Sequence, residues 1–462
     1  MNYKPPHSFA ERFVRGNLLG RLWGSANTFV GLTSSFLTLT ALSVYEFGLY
    51  QLVLSALVLY GVFSVNLFDE VVQNDITREL GDNRKEKAKR LFTEIAFLKI
   101  GFGVVVTFAL FFGADIVAKI YGKDIGSYIQ VASFIAGLRA IRSIGELFLG
   151  AVVSLRGLGA AAVEEASKLV LVSWFFFFGG LSISTVLAAT LVGVLISLVY
   201  VAMPFFREYR GFLRGVTASK EFVFKSIVKR YGPWLLLRSA VKKAAKPVQP
   251  WLIVTFLGTE AVALYALAAN LITMVKGLFP AAASSLLAWE VNDFKRLSYI
   301  FGRGMKYSLL FGMVLAAAAF FFVPLVVGFL FPKYLSAIPL FTVFLVSVPF
   351  HGMQQLEMAV LTALREQKVL AARLFAEIAI NFGLFILLAP FIGILAAGVG
   401  GVVPVIWRTW FLYRQIGKKY PVLGFPVGMF FSFDEDDRLL MRRALLEGRS
   451  FFRSATGRRR GG

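Results

Sequence analysis

Long apolar runs recur along the whole of this chain. Each is close to the ~20 residues a helix needs to cross a bilayer. About twelve can be drawn, over 18–42, 47–68, 91–117, 128–155, 162–178, 182–204, 231–257, 261–287, 305–331, 337–364, 370–390 and 392–413. The polar residues between them fall into two kinds of connection. Those after the second and sixth runs are basic, with Arg78, Arg84, Lys85, Lys87, Lys89 and Arg90 in one and Arg207, Arg210, Arg214, Lys220, Lys225, Lys229 and Arg230 in the other. Lys295, Arg296 and Arg303 follow the eighth run, and Arg365 and Lys368 the tenth. The intervening connections (43–46, 179–181, 258–260, 391) carry almost no charge, and only Lys119, Lys123 and Lys333 make that side mildly basic. Basic loops stay in the cytoplasm, so both termini are expected there, with nothing sizeable folded outside.

An internal repeat is readable. Tyr45-Glu46-Phe47-Gly48-Leu49-Tyr50 opens the second run, and Glu260-Ala261-Val262-Ala263-Leu264-Tyr265 opens the eighth. Ser25-Ala26 matches Ser239-Ala240, and Ser154 to Leu171 parallels Ala363 to Ile380, with Arg156 on Arg365. Each copy then starts a helix with opposite charges four residues apart, Glu164/Lys168 and Arg373/Glu377. Six spans per copy is an even number, so both copies enter the membrane the same way. The expectation is an all-α polytopic membrane protein of about twelve transmembrane helices, in two parallel six-helix bundles around a central cavity. The bundles would be residues 1–205 and 231–415, with a basic cytoplasmic linker at 206–230 and a basic tail at 416–462.

Composition sharpens this picture. The chain has 462 residues, 57% of them hydrophobic and 16% charged, and its 48 phenylalanines suit a lipid-facing surface. With no cysteine, disulfides, thiolate zinc sites and iron–sulfur clusters are excluded. Only His7 and His351 are present, which excludes a histidine-rich metal site; no metal or other cofactor is expected. The net charge of +22 reads as basic loops on an anionic inner leaflet rather than as a nucleic-acid surface. The N-terminal residues lack a short apolar stretch with a cleavage site, so no cleaved signal peptide is expected. Gly157 to Ala162 imitates a dinucleotide loop, but no strand precedes it, and no enzyme signature is found elsewhere.

The candidate chemistry centres on the seventh run. Arg238, Lys242 and Lys246 are spaced i, i+4, i+8 and stack on one helical face, with Lys243 beside them. A charge at mid-bilayer costs about 2.5–3.5 kcal/mol, so four facing lipid would cost on the order of 10 kcal/mol. They are therefore expected to line a wet cleft and hold an anion, with Arg21 of the first run joining from the other side. Candidates for coupling or gating are Asp69 at the end of the second run, Arg142 and Glu146 in the fourth, and Glu357 in the tenth. Arg142 and Glu146, four residues apart, can also simply neutralise each other, and His351 suits an interhelical hydrogen bond. Near the C-terminus, Ser432 or Asp434 is placed to cap a short helix over 435–447, and the acidic run there suits the positive end of its dipole.

The segment Tyr45 to Leu52 (YEFGLYQL), the basic loop with Glu79 and Lys87, the polar first run, the basic link after the sixth and the RGLG turn at Arg156 to Gly159 resemble the polysaccharide-flippase (Wzx-like) branch of the multidrug/oligosaccharidyl-lipid/polysaccharide exporter superfamily. The resemblance covers roughly 15–419. It implies a V-shaped pair of bundles and a cationic cavity for the phosphate or pyrophosphate of a polyprenyl-linked saccharide. The positions that would hold it are Arg21, Arg238, Lys242 and Lys246. It further implies partners in lipid-linked oligosaccharide, anionic inner-leaflet lipid and glycan-assembly enzymes, and a place in the cytoplasmic membrane. A drug/cation antiporter of the same fold and a multispan glycan polymerase or ligase stand as alternatives. An acid-lined cleft favours the first, and a large external domain the second.

Overall fold

The computed structural model describes residues 9–63, 69–152, 154, 159–222, 241–279 apart from 242 and 246, 294–364, 366–424, 427–430 and 432–438 apart from 436. Among the described residues all regular structure is helical. In chain order the helices are α1 Phe9–Ala41, α2 Val44–Phe63, α3 Asp69–Gly81, α4 Lys85–Tyr121, α5 Gly126–Ala151, α6 Ala160–Trp174 and α7 Ile183–Leu213. They continue with α8 (247–257), α9 Thr259–Gly277, α10 Phe294–Leu330, α11 Ile338–Leu345, α12 Val348–Ala363, α13 Gln367–Ile392 and α14 Leu395–Lys419.

Local chemistry sets several ends. Ser182 and Thr185 form a capping box that starts α7: each side chain bonds the other's backbone N–H. Ser43 and Glu46 do the same for α2, the carboxylate accepting from the Ser43 N–H at 2.9 Å. α4 stops at Gly122, whose φ of 59° is the left-handed value that a side chain disfavours. α11 and α12 are bent by 47° at 346–347, where Pro349 enters the first turn of α12 without an N–H to continue the ladder. Pro204 does not break α7, which runs on to Leu213, so the basic segment after 205 begins as helix. The segment after α2 is not a plain loop either: Asp69 opens the separate helix α3.

Six described helices are long and apolar enough to cross a membrane, and the bent α11–α12 pair makes a seventh. Only 17% of the apolar stretches of α4 and α10 is buried, against 44% in α7 and 50% in α14. On α4 the outward residues are Phe97, Phe112, Ile116 and Ile120, and on α10 Phe321, Phe322, Leu325 and Phe329. Such faces are stable only in hydrocarbon. The chain is a multipass membrane protein, and its phenylalanines form much of the lipid-facing wall.

The helices pack in two groups. In the first, α4 lies on α5, α5 and α6 on α7, and α1 on α6. In the second, α10 lies on α12, and α11, α12 and α13 lie on α14. The main packing between groups is α2 against α9. It occurs at the end of the molecule that carries Ser43, 122–125, 180–182, Gly258 and 393–394, here called the Ser43 end. The opposite, basic end carries 82–84, 214–222, 364–366 and the C-terminal segment.

Candidate functional site

Three polar constructions stand out. The first runs through the first group. Glu164 of α6 is buried, with its side chain 4% exposed. It accepts from Arg139 at 3.0 and 2.5 Å and forms a close ion pair with Arg142, both on α5. Arg142 also donates to the Ser197 hydroxyl of α7 at 2.8 Å and pairs with Glu146 at 3.1 Å. Beside this chain, the buried Lys99 of α4 pairs with Asp69 of α3 at 2.7 Å and donates to Ser143 of α5 at 3.0 Å. Five helices are thereby tied by charge inside one group. A buried carboxylate is tolerable only with such donors, and removing one partner is costly.

The second construction lies in the other group. Glu377 of α13 pairs with Arg408 of α14 at 2.8 Å and with Arg373 at 3.3 Å. Gln354 of α12 donates to the Val405 carbonyl and the Thr409 hydroxyl of α14. Between them Glu357 is fully buried, and neither carboxyl oxygen has a hydrogen-bond partner among the described residues. His351 meets Gln355 of its own helix at 2.9 Å and the Phe279 ring at 5.3 Å, so among the described residues its polar contact is within α12 and not between helices.

The third seals the Ser43 end. Gly48 of α2 faces Thr259 at the start of α9. A Cβ at Gly48 would run into the Thr259 carbonyl and come within 2.9 Å of its methyl. Only glycine allows so close an approach. From the turn before α11, Lys333 reaches over to the first group. Its ammonium donates to the Thr40 carbonyl at 2.9 Å and to the Leu42 carbonyl, the free acceptors at the C-terminus of α1. Phe47 meets Tyr334 edge-on at 6.0 Å, and Phe36 meets Phe331 at 5.4 Å. The residues of the EFG-Y stretch thus cap α2 (Glu46), close the end (Gly48) and fill the seam (Phe47).

The expected site residues are placed as follows. Arg238, Lys242 and Lys246 lie outside the described residues. Arg21 is in α1, but its side chain lies outside them too. Lys243 is described and half-buried, within electrostatic range of Lys99. Arg142 and Glu146 do pair, but Arg142 is shared with Glu164, so the two do not simply neutralise each other. Asp69 joins the same region through Lys99, while Glu357 is in the other group. The expected Glu164/Lys168 pair is not made: Lys168 turns to Glu165 at 3.4 Å, leaving Glu164 to the arginines. Lys99, Ser197 and Arg408 were not singled out from the sequence, and Glu164 was given a different partner. A lone lysine in the apolar run TEIAFLKIG was the available signal for Lys99.

Residues 22–288 match the model of the family described as "Polysaccharide biosynthesis protein". An uncharacterized membrane protein of Methanocaldococcus jannaschii, MJ1068, is 21% identical over 415 residues, which cover 83% of this chain and 82% of that one. Among solved structures, an inward-facing MATE family transporter of the MOP superfamily superposes with a TM-score of 0.70 at 16% identity, covering 85% of this chain and 96% of that one. The lipid II flippase MurJ in an inward closed conformation gives 0.71 at 13% identity, covering 90% and 89%. An outward-facing MATE transporter gives 0.60 at 15%, covering 89% and 96%.

Proposed function

The chain belongs to the polysaccharide biosynthesis protein family, and from that membership we propose that it carries a polyprenyl-(pyro)phosphate-linked oligosaccharide across the cytoplasmic membrane by alternating access. It is a flippase-like member of the MOP superfamily. The observation that carries the mechanism is the sealed Ser43 end. Two groups of helices meet there through Gly48, Thr259 and Lys333, which supports a cleft between them that would open toward the basic end. The positive-inside rule assigns that basic end, with both termini, to the cytoplasm. The lipid-linked cargo would enter from the cytoplasmic leaflet. Its phosphate would rest on Arg21, Arg238, Lys242 and Lys246, its saccharide in the wet cleft and its chain in the bilayer.

The bundles would be residues 1–205 and 231–415, joined by the linker 206–230. In the first, Asp69, Arg142 and Glu146 belong to a braced charge chain that moves as a unit. In the second, Glu357 is the acid we assign to coupling. A proton or cation on it would neutralise a charge that no hydrogen bond holds among the described residues. Glu146, Glu164 and Glu377 sit against arginine and Asp69 against lysine, which leaves little for a cationic drug and disfavours the antiporter reading. The described connections at the Ser43 end, such as 122–125 and 180–182, are short, which disfavours a polymerase or ligase with an external acceptor domain.

Complementation of a flippase-deficient cell tests the proposal. Lipid-linked oligosaccharide is scored on each leaflet for the wild type and for Arg238→Ala/Lys242→Ala. The double variant, inserted at normal levels, should leave the saccharide on the cytoplasmic leaflet. Normal delivery to the outer leaflet would overturn the cationic-cleft mechanism.

A further inference from the structure

A second lipid-binding feature lies apart from the cleft between the groups. At the basic end lies a crevice of ≈ 710 Å³, lined among the described residues by α4, by α7 and by Arg214 just past the end of α7. Its lining is graded. Phe92 and Phe206 lie toward the membrane interior, Tyr209 between, and Lys89, Arg210 and Arg214 at the rim. From Phe206 to Leu213, the last residue of α7, the helix rises about 10 Å, and Arg214 follows directly. That is enough to reach from hydrocarbon into a headgroup region of roughly 5–8 Å per leaflet. The floor is preformed, because the Phe92 ring packs on Tyr209 at 5.9 Å and Tyr209 packs on Phe148 at 5.6 Å.

The rim has charge to spare. Lys89 donates one hydrogen to the Val216 carbonyl at 2.7 Å, which fixes its ammonium at the mouth. Arg210 and Arg214 are exposed. Two nearby acids are engaged elsewhere: Glu94 pairs with Arg90 at 2.6 Å, and Glu221 with Lys87 at 3.4 Å. Two guanidinium forks and an ammonium above an aromatic floor fit a phosphodiester on a hydrocarbon chain.

We infer that the α4–α7 crevice is a binding site for an anionic phospholipid, its phosphate on Lys89, Arg210 and Arg214 and its upper chain on Phe92 and Phe206. This inference goes beyond the transport reading, because the crevice contains none of the proposed cargo residues and needs only the placement of the protein in a bilayer.

Native mass spectrometry of the full chain, released from mild detergent with added phosphatidylglycerol or phosphatidylcholine, tests it. The wild type should retain one phosphatidylglycerol in preference to phosphatidylcholine. Arg210→Ala/Arg214→Ala should weaken that retention roughly thirty-fold, from two cations near the surface. Arg210→Lys/Arg214→Lys should recover most of it. Arg207→Ala, an exposed arginine of the same helix outside the crevice, should change it little. Equal retention by the double alanine variant would overturn the inference, and so would an equal loss in Arg207→Ala, which means diffuse attraction only. Displacement of the lipid by millimolar inorganic phosphate would assign the rim to free phosphate instead and overturn the lipid assignment. All three positions are on the surface, so melting temperatures should match and the comparison holds between folded proteins.

Discussion

Replacing Gly48 by alanine is the smallest change that tests how the Ser43 end is sealed. The added methyl would occupy the place of the Thr259 carbonyl, with the Thr259 methyl 2.9 Å away. The obstruction is backbone at the first turn of a helix, so it cannot rotate aside as a side chain would. α2 and α9 must separate. Inserting a methyl into so close a contact costs typically about 1–3 kcal/mol. That cost falls on the sealed conformation alone, because in a conformation open at this end the two helices are apart. The ratio of sealed to open molecules should therefore fall by roughly 5- to 150-fold. The chain contains no cysteine, so spin labels attach only where placed. Labels at Asp124→Cys in the first group and Leu335→Cys in the second report the opening by pulsed electron–electron distance measurement. Wild type should give mainly a short distance, and Gly48→Ala should add or enlarge a longer one. Gly113→Ala, where nothing lies within 4 Å of the new methyl, is the control and should leave the distribution unchanged. An unchanged distribution in a folded Gly48→Ala protein would refute the assignment of this contact as the seal.

Further outcomes follow from the other constructions. Lys333→Ala removes the cation from the C-terminus of α1; such an exposed interaction is worth up to about 1 kcal/mol, so the same labels should show a shift of about fivefold or less. Glu164→Gln leaves Arg139 and Arg142 without their shared anion, and thermal unfolding should report a loss of about 3–5 kcal/mol, much larger than for Glu165→Gln. At the basic end, Asp437 accepts from Lys306 and Tyr307 at 2.5 Å each and pairs closely with Arg303. Burial pushes its pKa up, but the bonds from Lys306, Tyr307 and Arg303 outweigh this and hold it below the ordinary 3.8. Its contribution to docking the C-terminal segment is thus complete above that value and lost as pH falls through the lower folded value. Hydrogen exchange around 432–438 should rise in that acid range, and Asp437→Asn should show fast exchange at neutral pH. Slow exchange in that variant would argue against the clamp.

The helical, polytopic class was legible because a bilayer demands apolar runs of a set length and leaves its mark on loop charge. Capping was legible too: Asp434 accepts from the Asp437 N–H at 3.0 Å, as its place at a helix start suggested. Pairings between distant segments were not. The acidic run read as a cap also clamps Arg303 on α10. Glu164 and Lys168 have helical spacing, but a buried carboxylate is better held by two guanidiniums from α5, and only helix packing brings those near. Lys99 lies inside the third apolar run, and only the packing of α3 on α4 sets Asp69 against it. The two copies of the repeat were readable from Glu46 and Glu260, yet nothing in either copy announces that Gly48 of one rests on Thr259 of the other.

The central claim is that a cationic face carries the phosphate of a lipid-linked saccharide through the membrane. The most direct test uses purified protein in proteoliposomes containing a polyprenyl-diphosphate-linked oligosaccharide, with the fraction open to an external glycosidase followed over time. Wild type should expose saccharide from both leaflets, and Arg238→Ala/Lys242→Ala with the same melting temperature should expose only the fraction already outside. Equal rates for the two proteins, or no transfer by the wild type, would contradict the account.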